Sequence, residues 1–118
     1  MSKTIEERSF DFAVRIVKLK DFLIEEKKEF DISRQILRSG TSVGANVSEA
    51  QQAQSQADFL TKMNIALKEA AETKYWLRLL NATDKLTDKE TKSILDECIE
   101  IEKTLYSIVR TTKKNLDR

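Results

Sequence analysis

A chain of 118 residues has the length of one domain, and it contains 40% hydrophobic and 35% charged residues, no proline and two glycines. Strand-rich folds need turn residues about every 8–12 positions, so this composition excludes them. The net charge of +1 and pI of about 7.8 exclude the overall basic excess of a dedicated nucleic-acid binder.

Long helices with short connections are therefore expected. A chain of this length buries roughly two-thirds of the surface it exposes when unfolded, which gives a core without disulfide or metal. Helix 1 is expected over about 5–26. Thr4 and Glu7 make a capping-box pattern ahead of it. Phe12, Ile16, Leu19 and Leu23 recur at steps of four and three and line one face, which Phe10, Ala13 and Val17 widen.

Helix 2 is expected over about 33–54, capped by Asp31 or Ser33, with a stripe of Ile36, Gly40, Val43, Val47 and Ala50. Ser55 then caps helix 3, where Asp58 favours the positive helix N-terminus. Helix 3, over about 56–81, has the cleanest periodicity: Phe59, Met63, Ala66, Ala70, Thr73, Leu77 and Leu80. Helix 4 is expected over about 88–111, behind a second capping box of Thr87 and Glu90. Its stripe is Ile94, Cys98, Ile101, Leu105 and Ile108, and a polar tail is expected from Thr112. Short connections and the four-three spacing predict an all-α, antiparallel, up-down-up-down four-helix bundle with left-handed packing, as a single domain over 1–118.

The N-terminal stretch Met1 to Glu7 lacks the apolar core of a signal peptide. No apolar run approaches the ~20 residues that span a bilayer. The expectation is a cytoplasmic protein with no membrane partner.

The missing chemistry is informative. Histidine is absent, which removes Ser-His-Asp and Cys-His arrangements, zinc sites with histidine, and the Glu-x-x-His pairs of di-iron bundles. Cys98 is the one cysteine, so no intrachain disulfide forms, and its place on an apolar stripe makes it a core residue. Glu69 and Glu72, and likewise Glu97 and Glu100, lie three apart, a spacing open to acid–base work or a divalent ion. In a chain with 20 acidic residues the expected role is solvation or pairing with Lys and Arg. The segment Arg38 to Gly44 lacks the lysine and the preceding strand of a phosphate loop. No enzyme activity, cofactor, metal or small-molecule substrate is expected.

Both glycines fall inside helix 2, at 40 and 44, where each costs about 0.8–1.0 kcal/mol relative to alanine. Two readings stand: tight packing inside the bundle, or close approach of a helix from another subunit. Arg38, Ser42, Ala45 and Glu49 share the face opposite the stripe, with Asn46 on its flank. Ile65, Glu69, Glu72, Trp76 and Leu79 make a second face on helix 3. Trp and Arg are favoured at interface centres. These positions give a candidate oligomer interface or polar network of Arg38, Gly40, Ser42, Gly44, Asn46, Glu49, Glu69, Glu72 and Trp76, with Arg38 expected to pair with Glu69 or Glu72, within the subunit or across a contact.

The stretch from Arg38 to Leu80 carries a resemblance. Its most specific part is Arg-Ser-Gly-Thr-Ser-Val-Gly-Ala-Asn-Val-Ser-Glu-Ala, from Arg38 to Ala50. Ser55, Asp58-Phe59, Lys62, Ala66-Leu67-Lys68-Glu69-Ala70, Glu72-Thr73 and Tyr75-Trp76-Leu77 continue it, and Phe12-Ala13 of helix 1 also fits. The chain resembles the four-helix-bundle family named after 23S rRNA intervening sequences. That resemblance implies a bacterial protein, a bundle that assembles as a ring-shaped homopentamer, and an association with RNA. A relative, the accessory variability determinant of diversity-generating retroelements, binds RNA and a reverse transcriptase through a basic surface, from which the net charge of +1 departs.

Local basic groups remain: Lys27 and Lys28 at the first turn, and Arg110, Lys113, Lys114 and Arg118 near the C-terminus. They are the candidate nucleic-acid contacts, set against the alternative of favourable charge at helix C-termini. The functional expectation is a non-enzymatic homo-oligomer that binds a macromolecular partner, RNA or protein. The alternative is an RNA-binding accessory factor to a ribosomal or reverse-transcriptase complex.

Overall fold

The computed structural model describes residues 3–118; Met1 and Ser2 of the N-terminal stretch read above lie outside them. The described residues form four helices and no strand: α1 Ile5–Lys27, α2 Ile32–Ala50, α3 Gln56–Ala82 and α4 Asp88–Leu116. Each helix packs on its neighbour in sequence, and α1 closes the bundle more sparsely on α4. Among the described residues the backbones of the diagonal pairs α1–α3 and α2–α4 do not approach closely. Cross-helix pairs run in opposite chain senses. Glu49 meets Lys62 and Arg38 meets Glu69; Arg8 meets Thr104 and Arg15 meets Glu97.

The helix starts follow their capping chemistry. Thr4 Oγ1 accepts from the Glu7 N–H at 3.1 Å, and Glu7 Oε1 accepts from the Thr4 N–H at 3.0 Å. Thr87 and Glu90 repeat this before α4, and Ser55 caps α3 through the Asp58 N–H. These bonds hold the Glu7 and Glu90 carboxyls below their ordinary pKa, the backbone N–H of the capping threonine being the largest cause in each.

The start of α2 differs from the sequence expectation. Asp31 makes no side-chain cap, and the buried carboxylate of Glu29 takes its place. It accepts from the backbone N–H groups of Asp31, Ile32 and Ser33, the last at 2.7 Å. Lys28, at φ 53°, turns the chain in the left-handed conformation to bring Glu29 there, and its own N–H bonds the Leu23 carbonyl.

Two helix ends also differ. Helix α2 stops at Ala50 rather than 54, followed by a turn that leads to the Ser55 cap. Helix α4 continues to Leu116 instead of giving way to a tail at 112. Thr112 explains the extension: it is buried and returns its hydroxyl to the Ile108 carbonyl.

The expected stripes supply the core. Phe12, Ile16, Leu23, Ile36, Val43, Val47, Met63, Leu77, Leu80, Ile101 and Leu105 are buried, with Leu86 of the α3–α4 turn. Each such side chain contributes about 1.5–3 kcal/mol when fully buried. Phe10 and Val17 do not join them. Phe10 is 68% exposed and Val17 43%, because they lie at the outer edge of the stripe, where α1 turns to solvent.

Candidate interaction surface

Helix α2 sits between α1 and α3, and its two edges are built differently. On the α1 edge, a Cβ at Gly40 would lie 2.7 Å from Ile16 Cγ1 and 2.8 Å from its Cγ2. A Cβ at Gly44 would lie 3.0 Å from the Ser9 carbonyl oxygen. Both glycines thus serve close approach within one subunit; Gly40 is buried against Ile16 and is not available to a second chain.

On the α3 edge the side chains are polar. The Arg38 fork donates one N–H to Glu69 Oε2 at 2.8 Å and another to Glu72 Oε2. Trp76 Nε1 donates to the same Glu72 oxygen at 3.0 Å. The indole and then the guanidinium hold the Glu72 carboxyl below the usual carboxylate range, against the opposing effect of burial. The two carboxylates raise Arg38 in turn, Glu72 more than Glu69. Behind this network the buried hydroxyls of Ser39 and Thr73 share a 2.9 Å hydrogen bond. Arg38, Glu69, Glu72 and Trp76 therefore come together as a polar network inside the subunit. Asn46 folds back to donate to the Ser42 carbonyl, and Glu49 pairs with Lys62 at 3.3 Å.

The carboxylate pairs are engaged structurally. Glu69 and Glu72 share Arg38, Glu97 meets Arg15, and Glu100 lies 3.8 Å from Lys103. The Cys98 thiol is buried, donates to the Ala70 carbonyl at 3.4 Å, and is pushed up to about 12, chiefly by burial. A thiol so protonated is a poor nucleophile. The Arg38–Gly44 segment is helix throughout, so its N–H groups do not form a phosphate cradle.

The larger open surface lies on the other side of α2. Phe10, Val14 and Val17, spaced four and three apart, form an exposed apolar stripe along α1. Beside it runs a groove lined by Phe10, Ala13, Thr41, Gly44, Ala45 and Ser48. The close approach at Gly44 makes the groove floor, and small α2 side chains keep it open. Phe10 and Val17, expected to widen the core stripe, instead stand outside it with Val14. Their i, i+4, i+7 spacing was the available signal.

The candidate nucleic-acid contacts divide into two groups. Lys27 lies 3.8 Å from Glu90 and over the Phe22 ring, and Lys28 Nζ donates to the Glu25 carbonyl. Arg110, Lys113, Lys114 and Arg118 are exposed at the far end of α4. Glu90 and Arg110 are separated by twenty helical residues, about 30 Å, so the groups do not form one patch.

Residues 2–107 match the family described as 23S rRNA-intervening sequence protein. The chain belongs to this family. It is also similar to a protein of unknown function from the S23 ribosomal protein family of Bacteroides thetaiotaomicron, whose crystal structure was determined at 1.70 Å. The two share 57% identity and a TM-score of 0.88, over 90% of this chain and 98% of that one. Among curated proteins none matches. No helix of the described residues is long and apolar enough to cross a membrane.

Proposed function

We propose that this member of the 23S rRNA-intervening sequence family is a self-associating, non-catalytic module that binds a macromolecular partner. The observation that carries the reading is the unpartnered apolar stripe of Phe10, Val14 and Val17 beside the small-residue groove of α2. Large apolar side chains aligned along an exposed helix mark association surfaces. The homopentamer implied by the family resemblance is the assembly expected. The ion-paired carboxylates and the protonated Cys98 support a non-catalytic role, since neither is poised to accept or transfer a proton.

Light scattering on the wild-type chain at micromolar concentration tests association. A mass several times 13.6 kDa is expected, and a monomer across the whole concentration range would remove the reading.

A second reading, an RNA-binding accessory factor, rests on a different surface. Tyr106, Arg110 and Lys113 lie on one exposed face of α4, with Lys114 on its flank. An exposed aromatic among bases offers stacking and phosphate contact together. RNA retention that weakens steeply as salt rises is its signature; no retention at low salt would exclude it.

A further inference from the structure

Helix α3 carries a second unpartnered face, centred on Tyr75, which is 58% exposed. Lys68, Ala71, Arg78 and Ala82 surround it and are all exposed. They fall within about one-third of the helix circumference at 100° per residue. Because α1 and α3 are diagonal in the bundle, with no close backbone approach between them, the Tyr75 face and the Phe10 groove lie on opposite corners of the subunit.

Their chemistry is complementary. The Phe10 groove is bordered by Glu6 and Glu7, neither in an ion pair among the described residues, while Lys3 at its rim is paired with Asp11. The Tyr75 face carries Lys68 and Arg78, also outside any ion pair among the described residues; Glu72, three residues before Tyr75 on α3, is held by Arg38. The first face is a groove with small residues at its floor; the second exposes an aromatic between cations, at the edge of a groove shared with Leu95 of α4. Tyr and Arg are favoured anchors of buried contacts, and opposed charges fix their register.

We infer that the occupant of the Phe10 groove is the Tyr75 face of α3 from a second copy of this chain. The contact is heterologous, head to tail, with Glu6 and Glu7 of one copy facing Lys68 and Arg78 of the next. Repetition of such a contact closes a ring when the rotation between copies permits. This inference rests on the self-association proposed above and specifies which surfaces meet.

Complementary variants give the test, read by sedimentation equilibrium with thermal melts as the check on folding. Phe10→Asp and Tyr75→Asp both alter exposed side chains. Each alone is expected to sediment at 13.6 kDa. Mixed in equal amounts, well above the wild-type assembly concentration, they are expected to form a dimer of twice that mass, because one intact groove remains to meet one intact Tyr75 face. Glu6→Lys combined with Arg78→Glu gives a second route: each weakens assembly alone, and the double variant regains it. Wild-type assembly that survives Tyr75→Asp, or complementary variants that stay monomeric when mixed, would overturn the head-to-tail contact while leaving self-association standing. A monomeric wild type would remove both.

Discussion

Against α1, helix α2 presents the absence of side chains; against α3, it presents charge. At Gly40 and Gly44 the neighbouring helix comes so near that a single methyl group would meet Ile16 or the Ser9 carbonyl. At Arg38, two carboxylates converge on a guanidinium that remains half exposed, and the Trp76 indole donates to one of those carboxylates. The first edge derives its contribution from dense packing, which leaves no room for added volume at Gly40 and little at Gly44. The second sets register through directional bonds that water screens. The difference teaches that the conspicuous composition of α2 is explained inside the subunit, and that the apolar surface left uncovered beside it is the one where α1 turns Phe10 outward.

The largest effect is expected at the tight edge. Gly40→Leu forces a branched side chain into Ile16 and is expected to cost about 3 kcal/mol in urea or thermal unfolding. A loss under about 1 kcal/mol would mean that α1 moves away readily and that the edge is loose. Arg38→Ala, on the polar edge, is expected to cost about 1 kcal/mol, since the pair is partly solvated. That loss should shrink as salt is raised, whereas the Gly40→Leu loss should not. Equal salt sensitivity in both variants would erase the distinction between the edges.

A smaller effect follows from Glu72. Its folded pKa lies below the ordinary value of 4.5, so the stability it adds is present above the unfolded pKa and is lost as pH falls through the folded one. Glu72→Gln should therefore be less stable than wild type near neutrality, and the gap should close in acid below 4.5. Because Glu7 and Glu90 remain in both proteins, the difference between the two pH–stability curves isolates Glu72. A gap unchanged into acid would assign its role to shape rather than charge. The smallest effect is expected for Gly44→Ala. A Cβ there needs only a few tenths of an ångström from the Ser9 backbone, and the gain of about 1 kcal/mol in helix propensity offsets the strain. The net change should fall within about 1 kcal/mol of zero.

Much of the fold could be read from the residues because it depends on local chemistry. Thr4 with Glu7 and Thr87 with Glu90 are reciprocal caps set by spacing alone, and the periodicity of α3 finds its buried face directly. The pairing of Arg38 was legible as a pattern of opposite charge, although its bifurcation onto both Glu69 and Glu72 needed the helix positions. Three features were not legible for physical reasons. Periodicity locates the centre of a helix face but not its width, so it does not separate Phe10 from the buried stripe. The Glu29 cap depends on a left-handed lysine, a conformation that Lys28 does not advertise. Two glycines in a helix announce close approach but do not name what approaches; Ile16 and Ser9 are separated from them by a full turn of the fold.

The central claim is that another copy of this chain covers the α1–α2 groove, and an introduced thiol tests it most directly. Ser48 lines the groove and is exposed, while Cys98 is buried with its thiol pushed up to about 12 and stays silent. In Ser48→Cys protein, reaction with a thiol-specific probe should slow as protein concentration rises through the assembly range. Adding Phe10→Asp should restore the fast rate at every concentration. A rate independent of concentration, equal with and without Phe10→Asp, would contradict the claim.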